Sequence, residues 1–151
     1  MSDFDVKEKR FEQDIEDYLI HFGGYTKGDP SAFNRESGLD EGTFVEFIKT
    51  SQPKKWDRYV KIYAENSEKQ VVERFKREVK TTNLLNVMRH GFMDRGIKFY
   101  PIFWKPETTL NETTQIQYDA NILHCTRQLH YSVHNENSID IVLFANGIPV
   151  V

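Results

Sequence analysis

Apolar residues at Phe11, Ile15, Leu19 and Phe22 fall at helical spacing, which predicts an amphipathic helix over residues 5–22. Asp5 followed by Glu8 fits a capping box at its start, and Gly23-Gly24 supplies a stop. Glu8, Glu12 and Glu16 lie four apart, so the same helix carries a row of carboxylates on another face. Residues 26–42 turn polar, with Asp29-Pro30 and several Gly, and predict a loop. Two short helices are expected next, one capped by Asp40 and one opened by Ser51 with Pro53 in its first turn. Ser67 to Gln70 reads as another capping box, opening a longer helix that runs to about His90 and stops at Gly91.

The hydrophobic period then changes. Lys98 to Trp104 is strand-like, with Pro101 pointing to an edge, and residues 108–114 are turn-like. Residues 117–133 alternate, placing Leu123, Cys125, Leu129, Tyr131 and Val133 on one side of a strand. Ile139 to Ala145 is apolar on both faces except for Asp140, the pattern of a buried central strand. Asn146-Gly147 is a strong hairpin signal, and Ile148 to Val151 begins the returning strand. A helical part (residues 5–91) before a strand-rich part (97–151) makes the expected class α/β or α+β, a mixed β-sheet flanked by helices. In a two-residue hairpin Val142 faces Val151, and Asp140 faces a position two beyond it. The 151 residues are therefore expected to be one incomplete domain, cut within its central sheet.

Composition refines this only slightly. With 38% hydrophobic and 28% charged residues the chain is globular rather than disordered. A net charge of −3 argues against a uniformly basic nucleic-acid coat, yet not against a nuclease whose carboxylates offset its basic contacts. Cys125 is the single cysteine, so no intramolecular disulfide forms, and no apolar run approaches about 18 residues. A cytoplasmic location is expected.

Asp140 carries the candidate chemistry. A carboxylate in an apolar strand is paired, protonated or bound to a hard cation, or else it is a half-exposed residue at the strand's beginning. Asp140, its apolar strand and the Asn146-Gly-Ile-Pro149 hairpin resemble the heart of the PD-(D/E)xK nuclease fold. The stretches Asn121–Gln128 and Ser138–Pro149 resemble the N-terminal endonuclease domain of the R subunit of type I restriction enzymes. Phe11-Glu12 with Gly23-Gly24-Tyr25, Ala32–Glu36 and Thr50–Trp56 also fit that family.

The resemblance implies a restriction-endonuclease-like fold in which Asp140 is a catalytic, metal-binding carboxylate and Glu12 is the helix-borne acid beside it. Whether Glu12 or Glu8 is that acid stays open, although the capping box already accounts for Glu8. Arg127 and Gln128, on the preceding strand, would face DNA phosphate, brace Asp140 or serve structure alone. Ile139 stands where the superfamily's name has Pro, and the family's Glu-x-Lys on the returning strand is not among these residues. For the intact subunit the resemblance implies Mg²⁺-dependent cleavage of duplex DNA coupled to ATP-driven translocation, in complex with methylation (M) and specificity (S) subunits. ATP would be bound by a motor further along that subunit, and this chain by itself is expected not to cut. The alternative is a non-catalytic DNA-binding or subunit-assembly module on the same fold; a third reading, an interaction domain with a coincidental hairpin, explains fewer of the residues.

Three other signals carry less. His124, Cys125, His130 and His134 do not have zinc spacing on a strand, where neighbours point to opposite faces. Arg74, Lys76, Arg77 and Lys80 are interleaved with Glu73 and Glu78, as on a solvated helix face. Phe99, Tyr100, Phe103 and Trp104 read as core or edge packing rather than a base-stacking platform. No Gly-rich phosphate loop is present.

Overall fold

Residues 2–108 and 110–151 are described by a computed structural model. The elements run α1 (Asp3–Phe22), β1 (Thr26–Lys27), α2 (Glu41–Ser51), α3 (Pro53–Tyr63), α4 (Ser67–Thr81), α5 (Leu84–His90), β2 (Phe92–Asp94), β3 (Ile97–Phe99), α6 (Glu112–Asp119), β4 (Leu123–His130), β5 (Ser138–Ala145) and β6 (Ile148–Pro149). Single 3₁₀ turns occur at Pro30–Ala32 and Ala64–Asn66. The chain divides into two units, one made of the segments up to Asp40 and from Ile122, the other of residues 41–121.

In the first unit Ser2, not Asp5, caps α1. The Ser2 hydroxyl accepts the Asp5 N–H at 3.2 Å, and Asp5 Oδ2 accepts the Ser2 N–H at 3.1 Å. The capping box thus starts three residues earlier than Asp5–Glu8 suggested, which frees the Glu8 side chain. The apolar stripe is also not the buried face. Phe11 is 66% and Phe22 78% exposed, whereas Glu12 and Glu16 are buried. Periodicity identified the two faces correctly, but a strand-borne arginine, described below, draws the carboxylate row inward.

The sheet of this unit has strand order β1-β4-β5-β6, with β1 parallel to β4 and the other pairs antiparallel. It is the mixed sheet of an α/β fold. Asn146 (φ +53) and Gly147 (φ +79) both adopt left-handed conformations, the requirement of a type I′ hairpin turn. The pairs Phe144↔Pro149 and Ala145↔Ile148 keep the symmetric register of that turn. Leu143 O then accepts both the Val150 and Val151 N–H groups and the Leu143 N–H donates to Val151 O, a bulge that sets Val151 opposite Leu143 and not, as expected, opposite Val142. Leu129, Val142 and Phe144 pack together against Phe33. Two expectations fail here. β4 ends at His130, leaving Tyr131 and Val133 beyond it and exposed. β5 is buried only toward its end; Ser138, Ile139 and Asp140 are exposed, so burial alone does not explain Asp140.

The second unit begins with α2 directly after Asp40. Ser51 closes α2 instead of opening α3, its hydroxyl donating to Phe47 O at 2.5 Å. No capping box forms at Ser67, which donates to Ala64 O at 2.6 Å. The long helix expected to reach His90 breaks at Thr82-Asn83, where Asn83 Oδ1 accepts the Asn86 N–H and starts α5. Gly91 (φ +76) does end α5, and a Cβ there would meet Phe99 O at 2.5 Å. Two features were not foreseen. β2 and β3 form a hairpin across Arg95-Gly96, both left-handed, so the strand expected over Lys98–Trp104 ends at Phe99. Asn111 caps α6 by accepting the Thr114 N–H, so Gln117–Asp119 are helical where a strand was expected. Among the described residues, no helix is long and apolar enough to cross a membrane.

The core of this unit is aromatic: Phe44, Phe75, Phe92, Phe99 and Tyr59 are linked by ring contacts at 4.8–5.8 Å. Tyr59 is fully buried and its hydroxyl donates to Asp94 Oδ2 at 2.9 Å. Burial and that carboxylate hold the phenol well above its ordinary pKa. Tyr59→Phe deletes the donor and, among the described residues, leaves the Asp94 carboxylate a long contact from Gln70 (3.4 Å). It is expected to lower unfolding free energy by about 1–2 kcal/mol in urea titrations, with the packing retained.

Candidate metal centre

The carboxylate row of α1 and the start of β5 meet in the first unit. Glu8, Glu12 and Asp140 each offer an oxygen, and these oxygens lie within 4.8 Å of one another. Glu8 and Asp140 are exposed and Glu12 is buried. The three sit in a hollow of about 440 Å³ whose wall also includes Asp5, Lys9, Arg127 and Gln128. All three donors are hard oxygens, which suits Mg²⁺, Mn²⁺ or Ca²⁺ and lacks the nitrogen or sulfur that zinc prefers.

Gln128 ties the group together. Its Nε2 donates to both oxygens of Glu12 (3.2 and 3.1 Å) and to Asp140 Oδ1 (3.4 Å), while its Oε1 accepts from the Ser138 hydroxyl (3.2 Å). A partial positive charge therefore sits between two of the carboxylates. Arg127 supplies the full charge. Its guanidinium donates to Gln13 Oε1 (2.7 Å) and Glu12 Oε2 (3.2 Å), with Glu16 Oε1 at 4.0 Å.

Adjacent strand residues normally point to opposite faces, so Arg127 and Gln128 could not both reach Glu12 from a regular strand. Gln128 has φ +53, a left-handed conformation costing a non-glycine residue on the order of 1–2 kcal/mol. The ladder is paired on either side, Arg127↔Ile141 and Leu129↔Ile139, and skips the Gln128–Asp140 position. The strain is spent on turning Gln128 toward the carboxylates.

The structure thus brings together Asp140, Glu12, Gln128 and Arg127, all singled out in the sequence. Arg127 and Gln128 brace the acids, and Arg127 is engaged with α1. Glu8 joins the acids because the cap lies elsewhere. Gln13 was not singled out, and Glu16, named in the carboxylate row, was not foreseen as a partner of Arg127. Cys125, on the same strand, is buried, and burial with the neighbouring Glu16 pushes its thiol up despite the opposing Arg127. It is expected to resist alkylation by iodoacetamide at pH 8 until denaturant is added, as followed by mass spectrometry.

Residues 5–151 match the family model described as type I restriction enzyme R protein N terminus. The chain belongs to that family. Among curated proteins and solved structures, none matches it. Membership in that family suggests a nuclease role in the intact protein. It agrees with the family indicated by the Asp140 strand and the Asn146-Gly-Ile-Pro149 hairpin.

Proposed function

We propose that this chain supplies the carboxylate part of an Mg²⁺-dependent centre that cuts duplex DNA within an intact type I restriction R subunit. The observation that carries this reading is the convergence of Glu8, Glu12 and Asp140 oxygens within 4.8 Å, in a member of the R-protein family. Asp140 and Glu12 would hold the ion, with Glu8 as a third donor at the exposed rim. When bound, such an ion polarises a phosphodiester and lowers the pKa of water. Gln128 orients Glu12 and Asp140, and Arg127 balances the charge of the α1 acids. Lys9, on the rim, offers a cation to a DNA phosphate.

The acid-x-Lys pair implied on the returning strand is not among the 151 residues, so this polypeptide alone is expected to bind the ion without cleaving DNA. ATP-driven translocation and assembly with M and S subunits are proposed for the intact subunit on the strength of the family. Calorimetric titration with Mn²⁺ and Mg²⁺ tests the centre directly: one site is expected, weakened by Asp140→Asn and by Glu12→Gln. Metal binding that is indifferent to both substitutions would leave a non-catalytic DNA-binding or assembly module as the better account.

A further inference from the structure

Past Phe99 the chain leaves β3, and residues 100–105 form neither helix nor strand. Two side-chain amides nevertheless clamp the segment. Gln52 donates to Tyr100 O (2.9 Å) and accepts the Tyr100 N–H (2.8 Å). Asn121 treats Phe103 the same way, at 2.6 and 3.1 Å. Trp104 is pinned by its indole N–H to Met88 O at 2.9 Å, yet stays 51% exposed. Strand alternation therefore accounts for buried Phe99 and not for Trp104, whose ring is fixed in place and open to solvent.

The cavity beside this segment, of about 650 Å³, is lined by Lys54, Lys55 and Arg89 as well as Tyr100, Phe103 and Trp104, and by no carboxylate. Lys55 Nζ lies 5.0 Å and Lys98 Nζ 5.8 Å from the Tyr100 ring centre. Among the described residues, no salt bridge engages Lys54, Lys55, Arg58, Arg89 or Lys98. Burial first, then the charges of Lys98 and Arg58, lower the Lys55 amine below its ordinary pKa. In a chain of net charge −3 this is an uncompensated cationic cluster on an immobilised aromatic wall.

We propose that this cavity binds an unpaired nucleotide of a single-stranded nucleic acid, its base stacked on Trp104 and its phosphate held by Lys54, Lys55 and Arg89. A bare anion would explain the cations but not the pinned, exposed indole; an apolar ligand would explain the indole but not the cations. A duplex keeps its base faces stacked on one another, so only an unpaired base can use the ring. The volume falls in the range of about 300–1,000 Å³ typical of small-ligand clefts. This site is independent of the carboxylate centre.

Fluorescence anisotropy of labelled (dT)₁₂ with the full chain in EDTA tests it while the metal centre is silent. Saturable binding is expected, weakened roughly tenfold or more by Trp104→Ala and by Lys55→Glu, and untouched by Asp140→Asn. Lys54→Glu, on the exposed start of α3, provides a variant whose folding is not at risk, and circular dichroism checks the others. AMP and inorganic phosphate are expected to displace (dT)₁₂ only at far higher concentrations. The proposal is overturned by absence of (dT)₁₂ binding, or by equal binding to the Trp104→Ala and Lys54→Glu variants. Equal affinity for a blunt duplex, or displacement by AMP at matching concentration, overturns it as well.

Discussion

Asp140→Asn in an intact R subunit is expected to reduce DNA cleavage by about a thousandfold while leaving ATP hydrolysis unchanged. The magnitude follows from the several kcal/mol that a correctly held divalent ion contributes at a reacting phosphorus, each 1.36 kcal/mol being a factor of ten. Glu12→Gln should come close to this loss, because Glu12 is the buried donor of the three and the one gripped by Gln128. Gln128→Ala touches no proposed ion directly and acts only by releasing Glu12 and Asp140, so about 10–100-fold is expected. Linearisation of plasmid DNA, with ATPase activity measured in the same reactions, separates these outcomes. Full cleavage by the Asp140→Asn subunit would remove Asp140 from the site. Parallel loss of ATPase would point to misfolding rather than to lost chemistry.

Arg127→Ala should be the most damaging single change to stability in the first unit. Glu12 and Glu16 are both buried, one helical turn apart, and Arg127 is the cation between them. The network is not saturated even with the arginine present: Glu16 Oε2 and Arg127 Nε are buried without hydrogen-bond partners. Truncating Arg127 leaves two buried carboxylates without their cation, Glu12 keeping the Gln128 amide and Glu16 only a 3.5 Å contact from Gln13. Removing one member of such a set costs about 3–5 kcal/mol. Urea unfolding should report a loss near the lower figure, since Arg127 keeps a 23% exposed side chain. Adding Glu16→Gln should recover part of it. A double-mutant cycle with no coupling between Arg127 and Glu16 would show that other contacts hold α1 to the sheet.

The sheet and most of the carboxylate group were legible in the residues. An apolar run interrupted by one Asp and followed by Asn-Gly specifies a strand, a type I′ turn and the first two pairs beyond it, all local properties, but not the bulge at Val150-Val151. The orientation of α1 was not legible. Hydrophobicity favours burying Phe11 and Phe22, whereas the buried face is the one whose acids meet Arg127 and Gln128, more than a hundred residues away in sequence. The capping box at Ser2 competed with an equally plausible one three residues later, and that local ambiguity set Glu8 behind Glu12 as the helix-borne acid. The break at Thr82-Asn83 was masked because the apolar period continues through it. The amide clamps on Tyr100 and Phe103 leave no periodic trace, so strand alternation was read one turn too far.

The two ends of residues 41–121 are fastened to neighbouring residues. Asp40 donates its N–H to Gly147 O at 2.9 Å, and Ile122 exchanges hydrogen bonds with Asn146 at 2.6 and 2.7 Å. One tight turn therefore holds both the point where the chain departs the sheet-bearing unit and the point where it comes back. Exit and return being so close, the intervening segment behaves as a cassette: lengthening, shortening or exchanging it changes loop-closure entropy only slowly and leaves strand register alone. Substitution within Asn146-Gly147, by contrast, disturbs the turn and both of these attachments at once.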